Sequence, residues 1–298
     1  MAGVTLPTVD TVVLYPDGIL TAEARVLHTQ AASSGLLAVV LDRTPCHPVD
    51  AAWPDQPADR GVLRTAGGQL PILDATVGAT DGTTLHIGGE VPVRKGTDGW
   101  AFLVVHLVAG DGAIAEGDTV TVDIDPTYRA ALSAGHTACH LASLALNRAL
   151  AGAWSKQPRV DALGAPDFDA TAIETSRIVA DGSVDEFRIG KSARKAGFDP
   201  SALDDPGAIA AAANATLAQW VSGGAQIRIE RDGDGLTDRR YWVAVLPEGE
   251  ARIACGGTHP TSLGGLASIS VALERRELAG AVGLRMTTTA QTTTAQNP

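Results

Sequence analysis

Aromatic side chains make up only 4% of the 298 residues, so any core must be built from Val, Leu, Ile and Ala. Cysteine is also rare. Cys46, Cys139 and Cys255 are too few, and odd in number, for the disulfide framework of a small secreted domain, and they read as reduced thiols. Positive charge is in deficit: 23 Lys and Arg against 34 Asp and Glu leave a net charge of −11. Such a field repels phosphate, so a nucleic-acid ligand would have to be gripped locally, and duplex DNA is not an expected partner. No basic segment leads into an apolar stretch in MAGVTLPTVD, and nowhere do about 18 apolar residues run uninterrupted, as export and membrane spanning require. The expectation is a cytoplasmic protein with no membrane partner.

What is present is ordinary for a globular chain, with 45% hydrophobic and 19% charged residues. At about 100–200 residues per domain, the length suggests two domains. Up to residue 124 the pattern is short apolar runs, TVVLY, LLAVVL, WAFLVVHLVA and TVTVDI, separated by turn residues such as Pro16-Asp17-Gly18 and Gly110-Asp111-Gly112. Strand-length runs with hairpin punctuation predict a small antiparallel β-barrel domain over 1–124.

The texture changes at Asp125-Pro126, an N-cap followed by proline at the first helical position, and the next 25 residues are rich in Ala and Leu. They predict a long helix. Gly135 within it costs about 1 kcal/mol relative to Ala, which suggests close approach of another backbone. A second helix is expected from Pro206 to Val221, capped by Asp205 and stopped by Gly223-Gly224. Strands follow at QIRIE, RYWVAV, ARIAC and SISVALE, while residues 152–205 are polar and broken by Pro and Gly. The fold class is α+β, with 125–286 as a two-layer, helix-on-antiparallel-sheet domain. The last dozen residues, TTTAQTTTAQNP, are expected to be a disordered tail, 287–298.

Two histidines, His136 and His140, lie four apart on the long predicted helix, which puts both imidazoles on one face. Far downstream, Cys255-Gly256-Gly257-Thr258-His259 offers a thiol and an imidazole across a glycine turn. Taken singly, the first pair could face solvent or core, and Cys255 could be a buried thiol. Together they supply three imidazoles and a thiolate, a donor set suited to one tetrahedral Zn²⁺ per chain, with Zn–N about 2.0–2.1 Å and Zn–S about 2.3 Å. Four protein ligands make a closed structural site unless one stands aside or the ion becomes five-coordinate, and both alternatives stay open at this point.

Other motifs dissolve on inspection. Gly190-Lys191-Ser192 lacks the glycine a phosphate loop needs at 185, where Asp185 stands, and Asp232-Gly233-Asp234-Gly235 lacks calcium ligands at Leu236 and Val243. The second is a hairpin turn. Asn214-Ala215-Thr216 falls inside a predicted helix and carries no weight as a glycosylation signal. His28, His47, His86 and His106 have no partner at metal spacing and read as structural or surface residues.

HTACHL, preceded by Gly117, Asp118, Val120, Ile124, Asp125 and Arg129 in a G-D-x-V-x-x-x-I-D-x-x-x-R pattern and followed much later by CGGTH, resembles the editing domain of alanyl-tRNA synthetases and its free-standing AlaX-type relatives. TVVLYPDGILTAEARVL, VVLDRTPCHP, Gln56-Pro57-Ala58-Asp59-Arg60-Gly61 and VVHLV extend the likeness, which spans most of residues 10–285. The resemblance implies zinc-dependent hydrolysis of the ester joining serine or glycine to the 3′ end of tRNA(Ala), with His136, His140, Cys255 and His259 as ligands. Gln56 and Thr258 would orient the amino acid. Arg188, Lys191, Arg194 and Lys195, the densest basic patch, would grip tRNA phosphates or else form a solvated surface.

No ATP-binding or aminoacylation motif is visible, so the implied enzyme acts in trans. One stretch departs from the pattern: where the family carries glycines before the glutamine, this chain has Val49-Asp50-Ala51-Ala52-Trp53-Pro54-Asp55. That departure and the acidic charge motivate an alternative, a zinc hydrolase of the same fold acting on a small or carrier-bound aminoacyl ester or amide. A third reading is a non-catalytic module in which zinc only ties helix to sheet.

Overall fold

In the computed structural model, which describes residues 6–32, 35–109 and 114–293, the chain is mixed α and β and mainly strands. The first nine are β1 (Val12–Val13), β2 (Thr21–Ala31), β3 (Leu36–Leu41), β4 (Arg43–Thr44), β5 (Gly61–Thr65), β6 (Gly68–Thr80), β7 (Leu85–Ile87), β8 (Ala101–Ala109) and β9 (Thr119–Ile124). Seven of them form one antiparallel sheet in the order β5-β9-β2-β3-β8-β6-β7, with a further pairing of β5 to β6. β1 and β4 make a short parallel pair. LLAVVL and AFLVVHLV are continuous apolar runs because β3 and β8 are buried on both faces: Val39, Leu41, Phe102 and Val104 enter one cluster, and Ala38, Val40, Leu103 and Val105 another.

The helices are α1 (Pro126–Ala149), α2 (Phe168–Ala172), α3 (Lys191–Ala196) and α4 (Pro206–Ser222). Asp125 begins α1 as its residue type dictates, its carboxylate accepting from the backbone N–H of Thr127 (2.9 Å) and Tyr128 (3.1 Å). Asp205 does the same for α4 through Ala208 (2.9 Å). The remaining strands are β10 (Ile173–Val179), β11 (Gly182–Ile189), β12 (Ile227–Arg231), β13 (Arg240–Leu246), β14 (Gly249–Ala254), β15 (Leu266–Leu278) and β16 (Ala281–Thr292), arranged as β10-β11-β16-β15 and β12-β13-β14. α4 lies against β15, where Asn214 both donates to the Val271 carbonyl (3.0 Å) and accepts from its N–H (2.7 Å).

The chain divides into two units. One runs to Arg129 and includes Arg231–Arg240 and Gly256–Thr258; the other comprises Ala130–Glu230, Tyr241–Cys255 and the chain from His259 onward. The break therefore falls inside the first turn of α1, five residues beyond the expected one, and two later segments return to the first unit.

One expectation needs correction. Residues 287–292 are not a disordered tail: β16 continues through them, paired to β15 as far as Thr292 and to β11 as far as Thr289. Threonine is β-branched and suits a strand, and the burial of Thr288 and Ala290 against the exposure of Thr287 and Thr289 is the period of a half-buried strand. Residues 294–298 lie outside the described residues. The stretch 152–205 also holds the β10–β11 hairpin, which turns at Ala180-Asp181 with Asp181 in the left-handed region (φ 55°).

That turn explains Gly135. A Cβ at this position of α1 would meet the Val179 carbonyl oxygen and the Gly182 oxygen and nitrogen, the last two at 2.6 and 2.7 Å. Only glycine lets the hairpin lie on the helix, and the Asp181 N–H then reaches the Ala131 carbonyl (2.9 Å).

Beyond Gly135, the same spacing of four carries Cys139, Ser143 and Asn147 into a row of carboxylates. Cys139 Sγ lies 3.6 Å from Asp185, which also accepts from Ser176 (2.6 Å) and Ser183 (2.8 Å). Ser143 donates to Asp169 (2.9 Å). Burial, with the neighbouring charge of Asp185 adding to it, pushes the Asp169 carboxyl up to about 6. A raised folded-state value means the fold holds the proton more tightly than the unfolded chain, so stability is lost as pH rises from about 4 through about 6. Asp169→Asn should melt with the wild type near pH 4 and several degrees above it at pH 7.5, ~1–2 kcal/mol at ~2–4 °C per kcal/mol. Equal melting at pH 7.5 would remove the argument.

Candidate metal centre

α1 brings His136 and His140 one turn apart on the same side, with ring centroids 4.8 Å from each other. β14 ends at Ala254, and the chain passes through Cys255 and the Gly256-Gly257-Thr258 turn to His259. The His259 ring comes to rest 4.6 Å from that of His136 and 5.3 Å from that of His140. Trp242, fully buried on β13, backs His140 at 5.2 Å. Ligand-capable atoms of His136, His140, Cys255 and His259 all lie within 4.8 Å of one another.

Three observations test whether these residues fit a metal ion. Cys255 Sγ is 3.4 Å from His136 Nε2 and 3.3 Å from His259 Nε2. A tetrahedron with Zn–N about 2.05 Å and Zn–S about 2.3 Å has an S···N edge of about 3.5 Å, so both separations are those of ligands on one ion. The single proton of a thiol could serve only one of the two imidazoles. His140 Nε2 is buried with no hydrogen-bond partner among the described residues, a polar atom that coordination would satisfy.

The surroundings prepare these groups. Burial holds His140 down to about 4, so the ring stays neutral and keeps the lone pair a metal needs. Thr137, wholly buried beside His136, places its hydroxyl 2.9 Å from His259 Nδ1. An Nδ1–H donated to that oxygen would leave the Nε2 lone pair for the cluster, as is typical of ligating histidines. Neither Thr137 nor Trp242 was legible as part of a site. The only sequence signal was the position of Thr137 within HTACH.

Gln56 and Thr258, both in the first unit, make a reciprocal pair: Gln56 Nε2 donates to Thr258 Oγ1 (3.0 Å), and the Thr258 N–H donates to Gln56 Oε1 (3.1 Å). Both ends of the buried amide engage the residue that precedes His259 in the chain. Nearby, Asp59 accepts from the His47 N–H (2.6 Å) and from Arg129 Nε (2.8 Å), and Arg129 also donates to the Pro45 carbonyl (2.6 Å). His106 sits between Thr44 Oγ1 (2.9 Å) and the Val39 carbonyl (3.2 Å), and His28 contacts Glu116 (2.8 Å) and Gln30 (3.2 Å).

Arg188, Lys191, Arg194 and Lys195 are exposed at the end of β11 and along α3. Arg188 lies 3.7 Å from Glu174 and donates to the Ala279 carbonyl (3.3 Å), and Arg194 donates to the Gly280 carbonyl (3.5 Å). Two of the four thus brace the β15–β16 turn. Among the described residues, no helix is long and apolar enough to cross a membrane.

No family model matches the chain. Among curated proteins, it is 32% identical over 136 residues to an alanine–tRNA ligase from Frankia alni, an alignment covering 45% of this chain and 13% of that protein. The chain therefore holds a stretch similar to a small part of an alanine–tRNA ligase.

Proposed function

We propose that this chain is a metal-dependent hydrolase that clears mischarged tRNA(Ala) in trans in the cytoplasm, cleaving the ester that joins serine or glycine to the tRNA 3′ end. The observation that carries the reading is the convergence of His136, His140, Cys255 and His259, set beside the similarity to alanine–tRNA ligase. In this reading one Zn²⁺ occupies the cluster, residues 1–124 form a small barrel, and 125–286 form the editing-like domain. The ion would supply Lewis acidity, polarising an ester carbonyl or activating water near neutral pH.

The chain's own residues do the positioning. Thr258, whose hydroxyl and backbone N–H are both engaged by Gln56, would present its hydroxyl and the adjoining backbone to the amino group or side chain of the substrate. Gln56 then acts through Thr258, and loss of its amide would be felt as misplacement of that turn. Lys191 and Lys195 would meet phosphates, together with whatever donors Arg188 and Arg194 retain beyond the turn they brace.

The test is deacylation of Ser-tRNA(Ala) and Gly-tRNA(Ala) by zinc-loaded protein across a salt series. KM should rise steeply between about 50 and 200 mM salt, because several phosphate contacts release counterions on binding. A flat salt profile with turnover of small aminoacyl esters would favour the small-substrate alternative. Absence of any deacylation with one zinc bound per chain would overturn both.

A further inference from the structure

The spacing of four that carries His136 and His140 continues along α1 to Leu144 and Arg148, and these two line a cavity of about 190 Å³. Its other walls are Trp220 of α4, the turn at 163–165, and Glu248 between β13 and β14, all in the same unit as α1 beyond Arg129. The walls are fixed by bonds of their own. The Asp161 carboxylate accepts from the N–H groups of Leu163 (2.9 Å) and Ala165 (3.0 Å), and Asn147 of α1 donates to it (3.0 Å). Glu248 is held from two helices: the Trp220 indole N–H donates to one carboxylate oxygen (2.7 Å), and Arg148 pairs with the other. A ligand would meet a chamber already formed, with little left to order on binding.

The lining selects a chemistry. Leu144 and Trp220 are buried, Leu163 packs on the same core, and the only charged groups of the lining are Arg148 and Glu248, one of each sign. A simple anion would gain from the guanidinium and lose to the carboxylate, and a simple cation the reverse. A zwitterion loses to neither. Arg148 makes no other side-chain hydrogen bond among the described residues, so its further N–H groups can meet a carboxylate. Each Glu248 oxygen has taken one donor and keeps a lone pair for an ammonium group. At roughly 30 Å³ per water, the volume holds about six water-sized groups. That is the size of glycine, alanine or serine, and it is too small for a leucine.

We infer that this cavity is a binding site for a small free α-amino acid, with its carboxylate on Arg148, its ammonium group on Glu248 and its Cα substituent against the leucines. The site is separate from the metal cluster and its recognition needs no RNA. It adds to the tRNA reading in one respect, because the hydrolysis proposed above releases a molecule of this class. The occupant would bear on α1 one turn from His140, through Leu144.

Calorimetric titration of alanine into the zinc-loaded protein should show one site per chain with a Kd of about 1 mM. Propionate and propylamine each lack one of the two charges, and both should bind at least about tenfold more weakly, as should leucine. Arg148→Met should lose alanine binding to the same extent with its melting temperature nearly unchanged, because the ion pair it breaks is half-exposed. Ala165→Leu, which fills the chamber and keeps both charges, should lose it too. A zinc ion could itself hold an amino and a carboxylate group, so the titration is repeated after chelation and in His140→Ala, where binding should persist. Binding that vanishes with the metal and survives in Arg148→Met overturns the site. So does propionate or propylamine binding as well as alanine, or no saturation by about 50 mM alanine. No RNA enters these titrations, so their failure and that of the deacylation assay are read separately.

Discussion

Zinc is expected to bind at one ion per chain in the wild type and to fall below detection in His140→Ala at micromolar metal. His140 is the most informative of the four candidate ligands because its Nε2 has no hydrogen-bond partner among the described residues, so coordination is the interaction it stands to lose. Loss of an outer-shell partner costs about 10–100-fold in metal affinity, and loss of a ligand costs more. Thr137→Val, which removes the hydroxyl beside His259 Nδ1, should therefore fall between His140→Ala and the wild type. Cys139→Ser is the matched control: it neighbours His140 on α1, but its sulfur faces Asp185 and Ser176. Metal analysis and competition with a chromophoric chelator give the ranking. Wild-type zinc affinity in His140→Ala would dismantle the centre, and a Cys139→Ser affinity as poor as that of the histidine variant would reassign it.

Asp59→Ala should destabilise the protein by about 3–5 kcal/mol, the range for breaking a buried ion pair by removing one partner. Asp59 is only 2% exposed and forms a bidentate pair with Arg129, which is itself 5% exposed. Arg129 Nη1 already lacks a partner among the described residues, so removing the carboxylate leaves a buried guanidinium with little beyond the Pro45 carbonyl. The His47 N–H loses its acceptor in the same stroke. Replacing both charged residues with apolar ones of similar volume should recover much of the loss, because no uncompensated charge then remains. Denaturant melts of the two variants would decide the matter. A loss in Asp59→Ala below about 1 kcal/mol would mean that water reaches this pair.

The parts of the molecule legible from sequence were those governed by local chemistry. Asp125-Pro126 announces α1 because capping is settled within three residues, and His136 and His140 share a face because helical pitch is fixed. Cys255 and His259 were readable as a pair through the intervening glycines. That the two pairs meet was inferred from donor chemistry, and their four ligand atoms do lie together.

What escaped was non-local or disguised. Thr137 meets His259 from 122 residues away, a contact that no spacing rule reports. The threonine-rich end looked like a polar tail because the buried and exposed positions of β16 are filled by nearly the same residues. Hydropathy then shows no alternation although burial does. The β10–β11 hairpin was hidden by the surrounding Pro and Gly, although ADG between two alternating runs is a turn signal.

Gly135 gives the cluster a dependence that no list of donors would include. Because hairpin carbonyls press on bare backbone at that point, the helix is clamped one residue before its first imidazole, and the pitch of the pair is set by a neighbour that holds no ion. Even a methyl group at 135 would act as a wedge, levering the shaft of α1 away from the hairpin and both rings with it. The spacing of the two imidazoles is thus written partly in an atom that is missing.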